Sequence, residues 1–225
     1  MKRSEPKLKF LSQNDDLFVL NKPAGIHSVG AGASIQLILE AEFPAQKNLP
    51  DAGIVHRLDL ETSGCLLVAR NEASYERLRE AIRGEGQIHK IYWAVSRAKP
   101  NSLSFDFYFF SRYRGSKKVS LRKSGKPKER GRGRIKILRF VDGIYLLEIE
   151  LVGPGKRHQI RAALSELSAP LLGDSLYGGQ PWRGGIALHA KSLKNHTFSA
   201  VAPLPETWTT HLPVGGADYS RRMSE

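Results

Sequence analysis

The sequence predicts an α+β domain, and three observations predict it. Several stretches alternate apolar and polar residues with the period of two that half-buried strands require. Three others repeat apolar residues at helical spacing, two of them behind a capping side chain. The composition is that of a globular protein, 40% apolar and 25% charged over 225 residues, enough for one large domain or two small ones with a sizeable core.

The elements follow in order. Residues 1–10 read as a flexible basic arm. Leu17-Phe18-Val19-Leu20 is a short strand, stopped by the Pro and Gly of Asn21-Lys22-Pro23-Ala24-Gly25. Ser34 caps a helix running to about Phe43, with Ile35, Ile38 and Leu39 on one face, and Pro44 ends it. Apolar Ile54 and Val55 then precede the polar run His56–Gly64, and the apolar run Cys65–Ala69 follows as a buried strand. The polar run is therefore a loop held between two core elements, the kind of place that carries chemistry. Read alone, Asp59 and Thr62 also suit an Asx or ST turn, and Arg57 suits a salt bridge to Glu61.

Asn71 caps a second helix with Tyr75, Leu78 and Ile82 aligned, closed by Gly84. Residues 87–96 form a strand with Ile91, Trp93 and Val95 on one face and Lys90, Tyr92 and Ala94 on the other. Phe105, Phe107 and Phe109 alternate with Asp106 and Tyr108 in a further strand. Between Arg112 and Arg134 lies the most basic region, with Glu129 its single acid and glycines at 115, 125, 131 and 133. Being internal, it reads as a long hairpin or loop projecting from the sheet. Ile135–Val141 is β-like, and in the strand that follows Tyr145, Leu147, Ile149 and Leu151 share the one buried face. Gly153-Pro154-Gly155 turns the chain into a third helix, with Ile160, Ala163, Leu164 and Leu167 on the core side. His158 and Arg161, three apart, fall on neighbouring turns near its start. Residues 11–212 are expected to form a single domain and 213–225 a flexible tail.

The net charge of +13 and a pI near 10.0 call for a polyanionic partner, most often nucleic acid. Charge alone does not separate RNA from DNA or an anionic membrane surface. Lys117, Lys118, Arg122, Lys123, Lys126, Lys128, Arg130, Arg132 and Arg134 are the candidate phosphate-binding residues, RNA-binding if the polyanion is RNA, giving affinity with little sequence preference. The lone cysteine, Cys65, excludes an internal disulfide and a zinc-finger set and fits a reducing compartment. No secretory signal and no membrane span are legible, so a cytoplasmic protein is expected.

The loop also carries a signature. His56-Arg57-Leu58-Asp59-x-x-Thr62-Ser63-Gly64 matches, without departure, the HRLDxxTSG motif of the RluA-type RNA pseudouridine synthases. Further pieces resemble the same family: 15–25 its opening, Lys90-x-Tyr92-x-Ala94 its KxYxA, Gly155 with His158-Gln159-Ile160-Arg161 its GRTHQIR, Gly173-Asp174-x-x-Tyr177-Gly178 its GDxxYG, and Leu188-His189-Ala190 its LHA. Lys156 and Arg157 depart from the usual Arg and Thr, and Asn195-His196-Thr197 lacks a usual proline. The resemblance spans Asp15 to Trp208 and leaves no room for the small N-terminal RNA-binding domain of many relatives, which is expected to be absent.

The resemblance implies the pseudouridine synthase fold, a largely antiparallel bent sheet with flanking helices and a catalytic cleft across it. It implies isomerisation of a uridine in ribosomal or transfer RNA, without cofactor or metal, by a chain expected to act as a monomer. By carry-over Asp59 is the catalytic carboxylate, Arg161 the guanidinium that keeps it ionised, and Tyr92 the aromatic that stacks on the flipped base and helps remove the C5 proton. Arg57 fills the space the base leaves, Leu188 lines the pocket, and His56, Thr62 and His158 join them in binding substrate. Two rivals remain: a non-catalytic RNA clamp or chaperone on this scaffold, and a metal-dependent nuclease built from His56, Asp59, His158 and His189, which no HExxH or carboxylate cluster supports.

Overall fold

The computed structural model describes residues 7–30, 32–85, 87–113 and 115–209. Most of the expected N-terminal arm, the whole expected tail over 213–225 and Arg114 lie outside the described residues.

Among the described residues ten strands form one mixed sheet. They are β1 (Phe10–Gln13), β2 (Leu17–Lys22), β3 (Ser63–Ala69), β4 (His89–Ser96), β5 (Ser104–Phe110), β6 (Ser120–Arg122), β7 (Arg130–Val141), β8 (Ile144–Val152), β9 (Leu188–Lys194) and β10 (Ser199–Val201). Their order is β1-β2-β3-β9-β4-β8-β7-β5-β6, with β10 also on β9. The β3–β9 pair is parallel through Ser63–His189 and Gly64–Ala190; its neighbours are antiparallel. The helices are α1 (Ile35–Glu42), α2 (Glu72–Arg83), α3 (Gln159–Glu166) and α4 (Glu206–Thr209). No helix among the described residues is long and apolar enough to cross a membrane.

Local chemistry sets the helix starts. Ser34 Oγ accepts from Leu37 N, and Asn71 with Ser74 forms a reciprocal capping box, Asn71 Oδ1 accepting from Ser74 N at 2.9 Å. α2 lays Tyr75, Leu78 and Ile82 on Leu17, Val19 and Leu67. The other face of the sheet carries the largest core, where Phe18, Leu20, Leu66 and Val68 meet Ile149, Ile160 and Leu164. Covered on both faces, β3 is buried at all seven positions, which is why its sequence is apolar without alternation. β4 divides as its period of two requires, with Tyr92 and Ala94 in the main core and Trp93 and Val95 in a smaller one beside Trp208.

Three expectations change in detail. The arm ends sooner than residue 10, because Phe10 opens β1 and packs edge-on against Phe18 at 5.2 Å. β8 buries both faces where it starts, since Leu146 belongs to the small core while Leu147 belongs to the large one. The basic stretch is partly folded into the sheet: β6 pairs with β5, and Arg130, Arg132 and Arg134 are strand residues of β7, not loop residues. Gly131 and Gly133, read as punctuation, sit mid-strand under aromatic rings. A Cβ on Gly133 would lie 2.4 Å from Phe105 Cζ, so only glycine lets that ring lie across the strand.

Candidate active site

The Asp59 loop is fixed on both sides of the aspartate. Upstream, His56 Nε2 accepts the Leu67 amide at 3.0 Å, and Ser28 Oγ both donates to Leu58 O and accepts from Leu58 N, each at 3.0 Å. Downstream, fully buried Lys22 donates its ammonium to the carbonyls of Pro23, Ile26 and Leu60 at 2.9, 2.7 and 3.2 Å. The turn itself is closed by backbone, Thr62 N donating to Asp59 O at 3.0 Å. The Asp59 carboxylate is thus not spent on an Asx turn. It stays 26% exposed and faces the cleft.

Two groups from another element meet it. Arg161 Nη1 stands 3.5 Å from Asp59 Oδ2, and His158 Nε2 stands 4.0 Å from the same oxygen. Arg161, in the first turn of α3, is held from behind by Asp174, which accepts from Nε at 2.7 Å and from Nη2 at 2.9 Å. That bidentate pair consumes one edge of the guanidinium and aims the remaining nitrogen at Asp59. Burial opposes the charge on Arg161, but the Asp174 hydrogen bonds and the two carboxylates outweigh it and raise the pKa.

His158 departs from the spacing argument. It is not inside the helix but caps α3 in the left-handed conformation, at φ +52°. There its Nδ1 lies 3.1 Å from the hydroxyl of Tyr177, which also accepts from Val119 N at 2.8 Å. The Tyr177 hydroxyl also lies 3.5 Å from Val119 O, so it ties the imidazole to the Val119 backbone and leaves Nε2 facing Asp59. Burial keeps this ring below the usual histidine pKa in spite of Asp59.

Tyr92, Thr62 and Leu188 line a small recess of roughly 50 Å³ with Asp59, Arg57 and Arg161, and of these Tyr92, Asp59, Arg57 and Arg161 also line an open cleft of roughly 940 Å³. Burial, and then the charge of Asp59, push the Tyr92 phenol well above its ordinary pKa. His56 also borders the cleft, but its Nε2 lone pair is committed to Leu67 and burial lowers its pKa to about 3. Arg57 is exposed at the cleft and forms no salt bridge to Glu61 among the described residues.

The nine basic candidates are not brought together at the cleft. Arg122 is paired with Glu129, Arg130 with Asp106 at 2.8 Å, Arg132 with Glu85, and Arg134 with Glu150 at 3.1 Å. Lys118 lies 5.1 Å over the Tyr177 ring. Lys117, Lys123, Lys126 and Lys128 are exposed.

Sequence reasoning gave no role to Asp174, Tyr177, Lys22 or Lys90. The first two stand in the matched GDxxYG segment, so the motif itself was the available signal. Lys90 is 4% exposed and ties α2 to the end of β8, donating to Ile82 O at 2.9 Å and to Gly153 O. One departure from the motif also finds a partner: Arg157 donates to Ser111 Oγ at 3.2 Å and Ser116 O at 2.7 Å.

Residues 16–166 match the family model for RNA pseudouridylate synthase. The chain is 32% identical over 183 residues to ribosomal large subunit pseudouridine synthase D of Yersinia pestis, covering 79% of this chain and 54% of that protein. It is 33% identical over 213 residues to an uncharacterized RNA pseudouridine synthase of Zymomonas mobilis, covering 86% of this chain and 92% of the relative. The chain therefore spans about half the length of the Yersinia protein and nearly all of the Zymomonas one. In fold it matches a solved human structure, RNA pseudouridylate synthase domain containing 4, with TM-score 0.70 and 22% identity over 89% of this chain and 90% of that one. The α+β sheet, the motif-bearing loop and these matches agree: the chain belongs to the RNA pseudouridylate synthase family.

Proposed function

We propose that this protein isomerises a uridine of RNA to pseudouridine, with Asp59 as the catalytic carboxylate. The observation that carries the reading is the half-open carboxylate of Asp59 in a cleft, faced by an arginine that Asp174 has already oriented. The reaction balances within the substrate. The N1–C1′ bond breaks, the C5–C1′ bond forms, C5 gives up its proton and N1 gains one. A carboxylate suits such a reaction as a nucleophile or an electrostatic partner for an electron-poor carbon. Residues 11–212 act as one catalytic domain in this reading.

The other residues divide the remaining work. A stacked base must be extruded, at a cost of a few kcal/mol, and the unpaired guanidinium of Arg57 takes its place. Tyr92 supplies a ring for the uracil to stack on. Its raised pKa makes it a hydrogen-bond donor and argues against its serving as the base for the C5 proton. Leu188 and Thr62 complete the wall of the recess, while His158 presents a neutral imidazole beside Asp59. His56 serves the substrate indirectly, by pinning the loop to β3. The Yersinia relative is named for the large ribosomal subunit, so ribosomal RNA is the first substrate to test, with transfer RNA second. We place the protein in the cytoplasm as a monomer that needs no cofactor.

Asp59→Ala tests the proposal. Tritium release from RNA labelled at uridine C5 reads the lost proton directly. The variant should lose more than about a thousandfold in rate while its RNA affinity stays within about threefold of wild type. Undiminished tritium release would refute the assignment.

A further inference from the structure

Arg122, Arg130, Arg132 and Arg134 of β6 and β7, each paired with an acid, leave open which cations meet the RNA backbone, and the cleft supplies a different set. One face of α2 borders it through Tyr75, Arg79, Ile82 and Arg83. The turn after β8 borders it from the other side through Lys156 and Arg157. Lys90 joins the two banks, because its buried ammonium bonds the carbonyls of Ile82 and Gly153. The spacing of the banks is thus built into the fold before any ligand arrives.

The charges on these banks are not cancelled. Arg83 and Lys156 enter no ion pair among the described residues. Arg157 is held, among the described residues, by the neutral acceptors Ser111 and Ser116. Arg79 has a single acid nearby, Glu76 at 3.7 Å, in a pair 40% and 68% exposed that contributes little.

We propose that α2 and the turn after β8 form a two-sided clamp on the RNA backbone, with Arg79 and Arg83 opposite Lys156 and Arg157 holding phosphates next to the target nucleotide. The clamp rests on the proposed RNA substrate and adds the residues that grip it. Each phosphate neutralised on a single strand steepens the salt dependence of binding by about 0.7 in slope.

The experiment measures affinity of a fluorescent single-stranded RNA 20-mer for the full chain between 50 and 300 mM KCl, ranges chosen to expose that slope. Arg83→Gln should weaken binding by about 3- to 10-fold at the lowest salt and flatten the slope by about 0.7. Lys156→Gln should do the same from the other bank. Arg77→Gln is the control, removing one charge from the same helix where Arg77 is paired with Asp16 at 2.8 Å. It should leave affinity and slope unchanged. Unaltered slopes in Arg83→Gln and Lys156→Gln, or equal weakening by Arg77→Gln, overturn the clamp. Arg83 sits in the last turn of α2, where a cation also complements the helix dipole. That role alone would lower the melting temperature and leave the slope intact, which again overturns the clamp. If wild type shows no salt-dependent RNA binding, the proposed function fails, and the clamp with it.

Discussion

Two cation-rich regions of this molecule handle charge in opposite ways. Behind Asp59, two buried cations each answer to named groups: Lys22 to three carbonyls, Arg161 to Asp174 and Asp59. Along β6 and β7 they are many and exposed, and the arginines there answer to one another's neighbouring acids. The first region spends its fold on orientation. The second spends it on mutual neutralisation across the outer strands. A dense run of arginine in a sequence is therefore not a dense run of free positive charge. What decides is whether the fold brings an acid opposite, from a strand as with Asp106 and Glu150 or from a connecting segment as with Glu85 and Glu129.

The sharpest way to break the contrast is at Asp174. Asp174→Asn leaves Arg161 buried with its strongest partner gone, and breaking a buried pair from one side costs about 3–5 kcal/mol. A large fall in melting temperature is expected, with activity falling further than stability explains because Arg161 is no longer aimed at Asp59. An unchanged melting curve would show that the buried pair does not hold the site.

A smaller effect should come from His56. The folded pKa values of His56 and His189 lie near 3 and 4, below the ordinary 6.5, chiefly because burial disfavours the charged ring. Below pH 6.5 the unfolded chain takes up protons that these rings refuse until about pH 4 and pH 3. Their contribution to stability is thus complete above pH 6.5 and is lost as the pH falls through that window. In His56→Gln the melting temperature should fall less steeply from pH 7 to pH 4, since one refusing group is gone. Parallel curves for the two proteins would remove His56 from the account.

The smallest effect belongs to the outer strands. Arg130→Gln with Arg132→Gln should lower RNA affinity less than Lys117→Gln with Lys118→Gln, because the arginines are already paired and the lysines have no acid partner among the described residues. Their exposed pairs contribute about 0–1 kcal/mol each, so stability should barely move. Fluorescence anisotropy at two salt concentrations checks the order. Equal losses would mean that RNA displaces the acids.

Much of the fold was legible because its signals are local. Ser34 and Asn71 cap the helices they precede, and the two faces of β4 follow from alternation alone. The Asp59 loop was legible through its motif, and the structure brings Asp59, Arg161, Tyr92 and Leu188 to one recess. What stayed hidden depends on distant partners. Lys22 reaches a carbonyl 38 residues away, and Arg132 meets an acid 47 residues away, separations that no periodicity encodes. His158 was misplaced for another reason: helical spacing assumes helical dihedrals, and its φ is +52°.

The parallel junction of β3 and β9 has a consequence for how the protein is made. The Asp59 loop runs straight into Ser63, whose hydroxyl meets His189 Nδ1 at 2.8 Å across 126 residues of chain, and the next residue, Gly64, would drive a Cβ to 2.2 Å from Ala190 O. During synthesis β1, β2 and β3 can zip together early, yet β3, directly behind the Asp59 loop, has no neighbour on its other edge until β9 emerges. Closing so long a loop is slow compared with forming a hairpin. The nascent chain therefore carries its signature loop long before the strand behind that loop gains its parallel neighbour, and the sheet closes around it only once β9 has emerged.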